Sequence, residues 1–383
     1  MDRLFFTSVG ALFLAFVVRD VHVTILHSGG RNGPLSRLLA RSIWGLALAT
    51  AFRLSRRRRH SRLNSVGPVL MPLLIGWYII LLVIGFALIY YPHMPEHFII
   101  LADATSPRWI ESLYFSGITL STLGYGDIVP KTNAMRVVAF MEAASGFGLI
   151  SLAITYLLSV YRALERKRAA AVAFYHEAEG GANVVGFVTN HLVAGKLSGL
   201  APTLRVAARD LQETLESHVE HPILHYFHPS QVYKSLPRVL FLSLEICAVI
   251  KSCLASEEYA EIQERPEVRI LESSARHVLT EFTILLDLEK ESSRRVETRF
   301  EEARRWKGRF EQTITGLEEI GIKTRKDTAA GWKVYQALRD EWEPQLYALA
   351  SYLGYDWDEV TGDKDLEYAA DEEMEQPRVE VSR

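Results

Sequence analysis

The chain has 383 residues, of which 49% are hydrophobic and 23% charged, an average that also fits a soluble protein. The average conceals two unlike halves, because the long apolar runs lie before residue 164 and the rest is charged and amphipathic. Residues 1–64 hold eleven arginines against two aspartates, although the whole chain has a formal net charge of −3. These features exclude a purely soluble enzyme and predict a basic membrane part followed by an acidic domain.

The first apolar run, residues 4–26, is long enough to cross a bilayer. Arg19 and Asp20 lie near its end, where their charges can reach headgroups or each other. No small-residue cleavage site follows, so a secretory signal peptide is the less favoured interpretation. We predict an N-terminal transmembrane segment over residues 1–27 and leave open the side on which the N-terminus lies.

Residues 34–64 combine an amphipathic stretch with a basic linker. Arg37 and Arg41 share one helical face, and only residues 42–52 are free of charge, which is too short for a crossing. We predict a helix on the inner membrane surface held by anionic lipids, and leave full insertion of residues 36–52 open. The arginines of residues 56–59 are contiguous rather than three apart, so no voltage sensor is predicted.

Two further spans follow, one over residues 68–91 and one over residues 133–161. Basic residues precede the first span and follow the second, which places both of those ends in the cytoplasm. The two spans are therefore antiparallel, and the segment between them begins and ends outside. Residues 107–127 within that segment are too short to cross, so we predict a short helix followed by a re-entrant loop.

The loop ends in Thr-Leu-Gly-Tyr-Gly-Asp at residues 122–127, which closely resembles the selectivity filter of potassium channels. The usual filter has valine where this chain has Leu123. Carbonyl groups can line an ion path when alternate residues take left-handed dihedrals, which Gly124 and Gly126 adopt without a steric penalty. The resemblance implies that K⁺ is bound by the filter residues Thr122, Leu123, Gly124, Tyr125 and Gly126, with the carbonyl oxygens of the first four and the Thr122 hydroxyl as ligands.

The same resemblance suggests roles for residues beside the filter. Asp127 would lie at the outer mouth and concentrate cations there. Tyr125 would point into an aromatic cuff with Tyr114 and Phe115 of the short helix. The alternative, that Tyr114 and Phe115 simply pack against the outer span, stays open.

The second span contains residues that suit a hinge or a water-filled cavity. Gly146 and Gly148 allow bending or close helix packing. Glu142 is an ionisable residue inside the bilayer, which makes it a functional candidate by default. It would lie behind the filter, line the cavity, or pair with Arg136 or a pore-helix hydroxyl. Ser151 and Thr155 would face the cavity if Gly148 does.

A filter built from one loop per chain needs four chains around an axis, so the resemblance implies a homotetramer. The predicted fold class is an all-α membrane protein with the tetrameric potassium-channel pore fold (outer helix, re-entrant pore helix and filter, inner helix) plus an α-helical cytosolic bundle. We expect K⁺ ions in the filter, no organic cofactor, no nucleic-acid partner and no enzymatic activity. The lipid bilayer is the other expected partner, and the cytosolic regulator is unknown.

The polar half reads as helical from residue 164 onward. Residues 239–254 and 277–288 are apolar enough for core helices, whereas residues 289–310 look like a solvated or coiled-coil-like face. Cys247 and Cys253 are predicted to be reduced and buried. No Gly-rich phosphate-binding turn is recognisable, so a nucleotide-regulated domain has no support.

Four histidines recur at helical spacing: His218, His221, His225 and His228. Such a group can bind a transition metal or titrate near neutral pH. Ordinary packing and capping roles are the favoured interpretation, because Pro222 interrupts the helix between them.

We therefore predict a potassium-selective channel subunit in the cell membrane, with its C-terminal domain in the cytoplasm. A non-selective cation channel and a non-conducting scaffold whose helical domain binds a partner are the alternatives. The predicted domains are an N-terminal transmembrane segment (1–27), an interfacial helix with a basic linker (34–64), a pore domain (65–163), a cytosolic helical domain (164–355) and an acidic disordered tail (356–383).

Overall fold

The computed structural model describes residues 2–26, 33–101, 107–179, 182–193, 196–197, 199–289 and 299–362, without the side chains of residues 2 and 299–304. These residues form two compact units. The membrane unit comprises Met1–Gly45, Pro68–Arg162 and Glu220–Ile223, and the helical unit comprises Leu46–Gly67, Ala163–Val219 and Leu224–Arg383.

Helices dominate the described residues. In chain order they are α1 (Asp2–Val21, continued by a π-helical turn His22–Leu26), α2 (Pro34–Ala51), α3 (Arg56–Asn64), α4 (Val66–Tyr90), α5 (Arg108–Leu120), α6 (Asn133–Glu177), α7 (Val184–Asn190), α8 (Leu200–Glu220), α9 (Leu236–Ser252), α10 (Ser256–Gln263), α11 (Pro266–Leu285), α12 (Arg299–Glu319), α13 (Thr328–Tyr352) and α14 (Trp357–Thr361). Short 3-10 helices occupy Tyr91–His93, Pro222–Tyr226 and Val232–Lys234.

Among the residues that the structure describes, three helical stretches are long and apolar enough to cross a membrane: residues 3–26, 56–93 and 133–177. They contain the three segments that the sequence predicts as spans. Helix α2 does not meet this criterion, so its place on the membrane surface stays a prediction.

A buried carboxylate joins three helices of the membrane unit. Asp20 accepts hydrogen bonds from the backbone N–H of Leu35 (2.9 Å) and of Ser36 (3.3 Å) at the start of α2. It also accepts a 2.7 Å bond from the hydroxyl of Tyr78 in α4. Because unsatisfied N–H groups at a helix start favour an anion, Asp20 caps α2 rather than pairing with Arg19 or a headgroup.

A short antiparallel ribbon accompanies the helices, so the membrane unit is not purely α-helical as predicted. Strand β1 (Phe98–Ile100) pairs with β2 (Ile128–Pro130), with Ile99 opposite Val129. Two backbone bonds extend the pairing, from Leu101 N to the Asp127 carbonyl and from Lys131 N to the His97 carbonyl, both 2.8 Å. The ribbon brings together the two ends of the segment that holds α5 and the filter motif, and the sequence shows no strand-length alternation that predicts it.

The helical unit is built around α9, which is buried over almost its whole length. Helices α11 and α13 pack against it. Within this core the Arg339 guanidinium donates a 2.5 Å bond to Glu245 and lies 3.3 Å from the centre of the Trp306 ring. Trp306 and Phe310 of α12 are both buried, so this end of residues 289–310 is a core face and not the predicted solvated one.

The end of the helical unit corrects the predicted start of the disordered tail at residue 356. Residues 357–361 form α14, whose Val360 is fully buried and whose N-terminus has a capping box made by Asp356 and Glu359. Acidic side chains here are cap residues and ion-pair partners rather than a solvated run. The rest of the predicted tail, residues 363–383, lies outside the described residues.

The four histidines do not form one cluster. His218 and His225 each pack against the ring of Phe282, at 4.9 and 5.4 Å between centroids. Burial lowers the pKa of His225 to about 3, so it stays neutral at physiological pH. His221 lies 5.4 Å from Tyr156 in the membrane unit, while His228 contacts His60 in the helical unit.

Among the described residues no group of histidines, cysteines and carboxylates has metal-site geometry. Cys247 and Cys253 are free and buried, as predicted. Burial raises the pKa of the Cys247 thiol, which keeps it protonated and unreactive.

Candidate functional site

The filter motif follows directly from the C-terminal turn of α5. This helix ends at Leu120, and the next amides fold back onto its last carbonyls. Thr122 N donates to the Thr119 carbonyl at 3.0 Å, while Leu123 N and Gly124 N both donate to the Ile118 carbonyl, at 2.9 and 3.2 Å. The last turn of the helix therefore fixes where the motif begins.

The motif has an alternating backbone. Thr122, Gly124 and Gly126 have φ values of +59°, +53° and +81°, and none of the residues between them has a positive φ. The predicted left-handed conformation of the two glycines is confirmed. Thr122 was not predicted to share it, and a β-branched residue at positive φ is a strained outlier of the kind that clusters at functional sites.

The side chains of Leu123 and Tyr125 lie at the surface of a single chain and not in its core. Leu123 is 60% exposed and Tyr125 is 69% exposed in a single chain. Side chains this apolar are normally covered in a folded protein.

Asp127 and Tyr114 come together beside the motif. The Tyr114 hydroxyl donates a 2.7 Å hydrogen bond to the Asp127 carboxylate. Phe115 points the other way, into a cluster with Tyr90 and Phe98 at centroid distances of 5.0 and 5.1 Å. Phe115 therefore packs against the outer helix α4 and the strand β1, as the alternative interpretation predicted for it, and the cuff around Tyr125 stays a prediction.

Glu142 lies behind the pore helix α5, fully buried within the chain. Its carboxyl group accepts a 2.7 Å bond from the hydroxyl of Tyr90 in α4 and lies 2.5 Å from the Ser116 hydroxyl of α5. Ser116 is also 3.0 Å from the Val83 carbonyl of α4. One side chain of the inner helix α6 thus connects α4, α5 and α6. Of the alternatives predicted for Glu142, the structure shows pairing with a hydroxyl of the pore helix, and not a place in the cavity or a pair with Arg136.

Gly146 is one turn further along the same face of α6. A Cβ atom at this position would lie 2.1 Å from the Leu120 carbonyl oxygen, well inside van der Waals contact. Gly146 therefore allows the inner helix to touch the last turn of the pore helix. A Cβ atom at Gly148 would meet no atom within 4 Å, so this glycine makes no close approach within the chain.

Ser151 and Thr155 lie on an exposed part of α6. Their hydroxyls donate to carbonyls one turn earlier in the same helix, at Phe147 (3.0 Å) and Ser151 (3.1 Å). Both residues are exposed in a single chain, which leaves them accessible to a cavity.

Replacing Glu142 with leucine is expected to destabilise the pore loop, whereas glutamine is expected to be tolerated. Leucine leaves the Tyr90 hydroxyl without its buried partner, at about 1–3 kcal/mol for an unsatisfied group, and leaves the Ser116 hydroxyl with the Val83 carbonyl alone. A glutamine oxygen can accept from Tyr90 while its amide donates to Ser116, which donates on to Val83. Thermal unfolding in detergent should show a lower midpoint for Glu142→Leu and a nearly unchanged one for Glu142→Gln; equal midpoints for both variants would contradict a bridging role.

Comparison with known proteins identifies the segment around this loop. Residues 78–163 match the family model described as an ion channel. The chain carries an ion channel domain. The match covers the second half of α4, the loop with α5 and the filter motif, and the part of α6 within the membrane unit, so this region belongs to a channel family and not to an enzyme.

Individual relatives match stretches of different lengths. The uncharacterized membrane protein YdjJ of Bacillus subtilis is 29% identical over 229 residues, which are 59% of this chain and 64% of YdjJ. The two pore potassium channel c of Oryza sativa is 34% identical over 70 residues, and the calcium-gated potassium channel TvoK of Thermoplasma volcanium is 39% identical over 54 residues. Those matches cover 18% and 14% of this chain and 15% of each relative. No solved structure matches the chain.

Two participants in the site were missed at the sequence level, Tyr90 and Ser116. In the sequence Tyr90 is only an aromatic residue at the end of a span, and Ser116 has no evident role. The available signal was the spacing of small and polar residues: Ser116 and Leu120 are one turn apart on α5, as Glu142 and Gly146 are on α6. These two pairs of residues predict a contact between α5 and α6 only when it is already known which faces of the two helices meet.

Proposed function

We propose that this protein is a potassium-selective channel subunit, four copies of which surround one conduction path. The observation that carries the proposal is the alternating positive φ at Thr122, Gly124 and Gly126, in a Thr-Leu-Gly-Tyr-Gly-Asp motif that follows a short helix inside an ion channel domain. Two of the relatives that match parts of this chain are named as potassium channels, which supports the choice of ion.

The proposed ligands are backbone oxygens. Alternation between positive and ordinary φ lets successive carbonyls turn toward the same side, where they can replace the hydration shell of K⁺. The ligands would be the carbonyls of Thr122, Leu123, Gly124 and Tyr125, together with the Thr122 hydroxyl. Leucine in place of the usual valine at position 123 changes the packing behind the carbonyls and leaves the oxygens in place.

Conduction through such a path is passive. Ions shed water, occupy several carbonyl sites in a row and leave by repulsion from the ion behind, so no site binds too tightly. Asp127 at the end of the motif would raise the local concentration of cations. The Tyr114 hydrogen bond holds its carboxylate beside the motif rather than free in solution.

The proposed location is the cell membrane, with the helical unit in the cytoplasm. The arginine cluster just before α4, which includes residues 56–59, favours this orientation through the positive-inside tendency and would attract anionic lipids. A tetramer is required because each chain contributes one filter motif and a closed ring of ligands needs several.

Bi-ionic recordings from the purified protein in liposomes test the proposal. With K⁺ on one side and Na⁺ on the other, the reversal potential should lie far toward the K⁺ equilibrium value. Equal permeability to the two ions would instead support a non-selective cation channel. No current, together with undiminished function of filter-glycine variants in cells, would support a non-conducting scaffold.

A further inference from the structure

A chain of hydrogen bonds runs through three buried ionisable side chains of the helical unit. His60 of α3 lies between His228 and Glu359 of α14, and the three are 0%, 3% and 0% exposed. His60 Nδ1 is 2.8 Å from His228 Nε2, and His60 Nε2 is 3.0 Å from Glu359 Oε1. At its far end, His228 Nδ1 is 3.1 Å from the carbonyl oxygen of Leu353.

Counting hydrogens along this chain shows that two neutral imidazoles cannot complete it. The Leu353 carbonyl only accepts, so His228 carries its hydrogen on Nδ1 and presents a bare Nε2 to His60. His60 must then donate from Nδ1, which leaves its Nε2 bare if the ring is neutral. An ionised Glu359 also only accepts, so the last of the three contacts lacks a hydrogen.

Hydrogen-bond donors and positive charges surround the Glu359 carboxyl group. Its other oxygen, Oε2, accepts from the Arg59 guanidinium at 3.2 Å and from the backbone N–H of Asp356 at 2.9 Å. Arg56 lies 3.9 Å from Oε1. Hydrogen bonds and positive charges of this kind favour the carboxylate, so the missing hydrogen belongs on the His60 side of the contact.

The second histidine stays neutral. Burial, and then the neighbouring His60, hold the pKa of His228 well below its usual range. A His60 imidazolium between a carboxylate and a neutral imidazole donates from both nitrogens and satisfies all three contacts. With an ionised Glu359, this is the arrangement in which all four ring nitrogens of His60 and His228 have a hydrogen-bond partner.

We propose that His60, His228 and Glu359 form a binding site for a single proton, which fastens α3 to the end of the helical unit. A metal ion is the poorer occupant. Two imidazole nitrogens on one zinc ion stand about 3.3 Å apart, given bonds of about 2.0–2.1 Å in tetrahedral geometry. Here the facing nitrogens are 2.8 Å apart, which is a hydrogen-bond distance.

Other ionisable groups surround the site, and four of them form two ion pairs. Asp356 pairs with Arg59 at 2.6 Å, and Asp358 pairs with Arg56 at 2.9 Å. Tyr355 stacks on both imidazole rings, with centroids 4.4 Å from His228 and 5.5 Å from His60. Lys167 contributes positive charge near His228. Because Arg59 and Arg56 each also have an aspartate partner, the main contact that the bound proton changes is the one between His60 and Glu359.

Loss of the proton would remove one of the three hydrogen bonds and the ionic contact to Glu359. Only Ser65 separates α3 from the outer helix α4. If α3 is held less tightly, the start of α4, which leads into the ion channel domain, is also held less tightly. The consequence for conduction rests on the proposed function. The site itself does not, and it can be tested without measuring ion flow.

The Glu359→Gln variant distinguishes loss of the bound proton from loss of the fold. A glutamine oxygen can still accept from Arg59 and Asp356, while its amide donates to a bare His60 Nε2. All three contacts are then complete with two neutral imidazoles, so this variant should fold and bind no extra proton. His60→Gln removes the site, and His277→Gln, at a histidine of α11 outside the site, is the matched control.

The experiment is solid-state NMR of the full chain in lipid, labelled with ¹⁵N-histidine, at pH 7.5, about one unit above the ordinary histidine value. Wild type and His277→Gln should each show one imidazolium signal that is absent from His60→Gln and Glu359→Gln. An all-neutral wild-type spectrum would overturn the proposal, as would an imidazolium signal that persists in His60→Gln or in Glu359→Gln.

Hydrogen exchange of residues 56–64 tests the fastening. After correction for intrinsic exchange rates, wild type should exchange faster at pH 9 than at pH 6.5, whereas Glu359→Gln should show no such difference. Equal pH dependence in the two proteins would show that the proton does not hold α3 in place.

Discussion

Changing Gly124 to alanine is expected to abolish potassium uptake. The residue has φ +53°, where a Cβ atom costs about 1–2 kcal/mol in each chain, and four chains would bear this cost around one path. Thr122 already carries the same strain two residues earlier. The backbone of the variant would relax toward negative φ, which turns the neighbouring carbonyl groups away from the ion.

A growth assay measures this effect. A bacterial strain that cannot otherwise take up K⁺ should grow in low potassium with the wild-type chain and fail with Gly124→Ala. Gly117→Ala, in α5, is the matched control, because its added Cβ meets no atom within 4 Å and needs no positive φ. Growth supported by Gly124→Ala as well as by Gly117→Ala would contradict conduction through this loop.

Changing Gly146 to alanine is expected to be nearly as damaging, for a different reason. The added Cβ would lie 2.1 Å from the Leu120 carbonyl oxygen, and backbone atoms cannot move aside as a flexible side chain can. The inner helix and the end of the pore helix must separate, and the filter motif begins two residues after Leu120. We expect at least a tenfold loss of ion flux and a lower thermal midpoint, since overpacking typically costs about 1–3 kcal/mol.

The neighbouring glycine provides the control. Gly148→Ala adds the same methyl group to the same helix where no atom lies within 4 Å, and alanine favours a helix by about 1 kcal/mol over glycine. Flux and thermal midpoint should therefore be preserved or improved in Gly148→Ala. If this variant loses as much flux as Gly146→Ala, bending of α6 at its glycines would explain the data better than close packing at Gly146.

The parts of the fold that could be predicted are those controlled by local physics. A transmembrane helix must match the thickness of the bilayer, so long apolar runs identify the spans. Backbone at positive φ favours glycine, so Gly124 and Gly126 mark the filter motif in the sequence. Helix boundaries followed from apolar periodicity, as in α9 of the helical unit. Each of these signals lies within a few turns of sequence.

The parts that could not be predicted depend on contacts between distant residues. Asp20 has the sequence position of an interfacial charge, yet it caps α2 and binds Tyr78. Glu359 lies within the predicted acidic tail, yet it is buried beside His60, 299 residues earlier in the chain. Composition shows that a residue is charged and not which partner will bury it, so buried polar networks are where local reasoning fails.

The central claim is that backbone oxygens from four identical chains replace water around potassium ions. Electron cryomicroscopy of the protein in lipid nanodiscs, in abundant K⁺ and with Na⁺ as the comparison, tests it most directly. The account predicts four-fold symmetry with a row of axial densities beside Thr122, Leu123, Gly124 and Tyr125 in K⁺. An assembly of fewer than four chains, or an axis without ion density in K⁺, would contradict it.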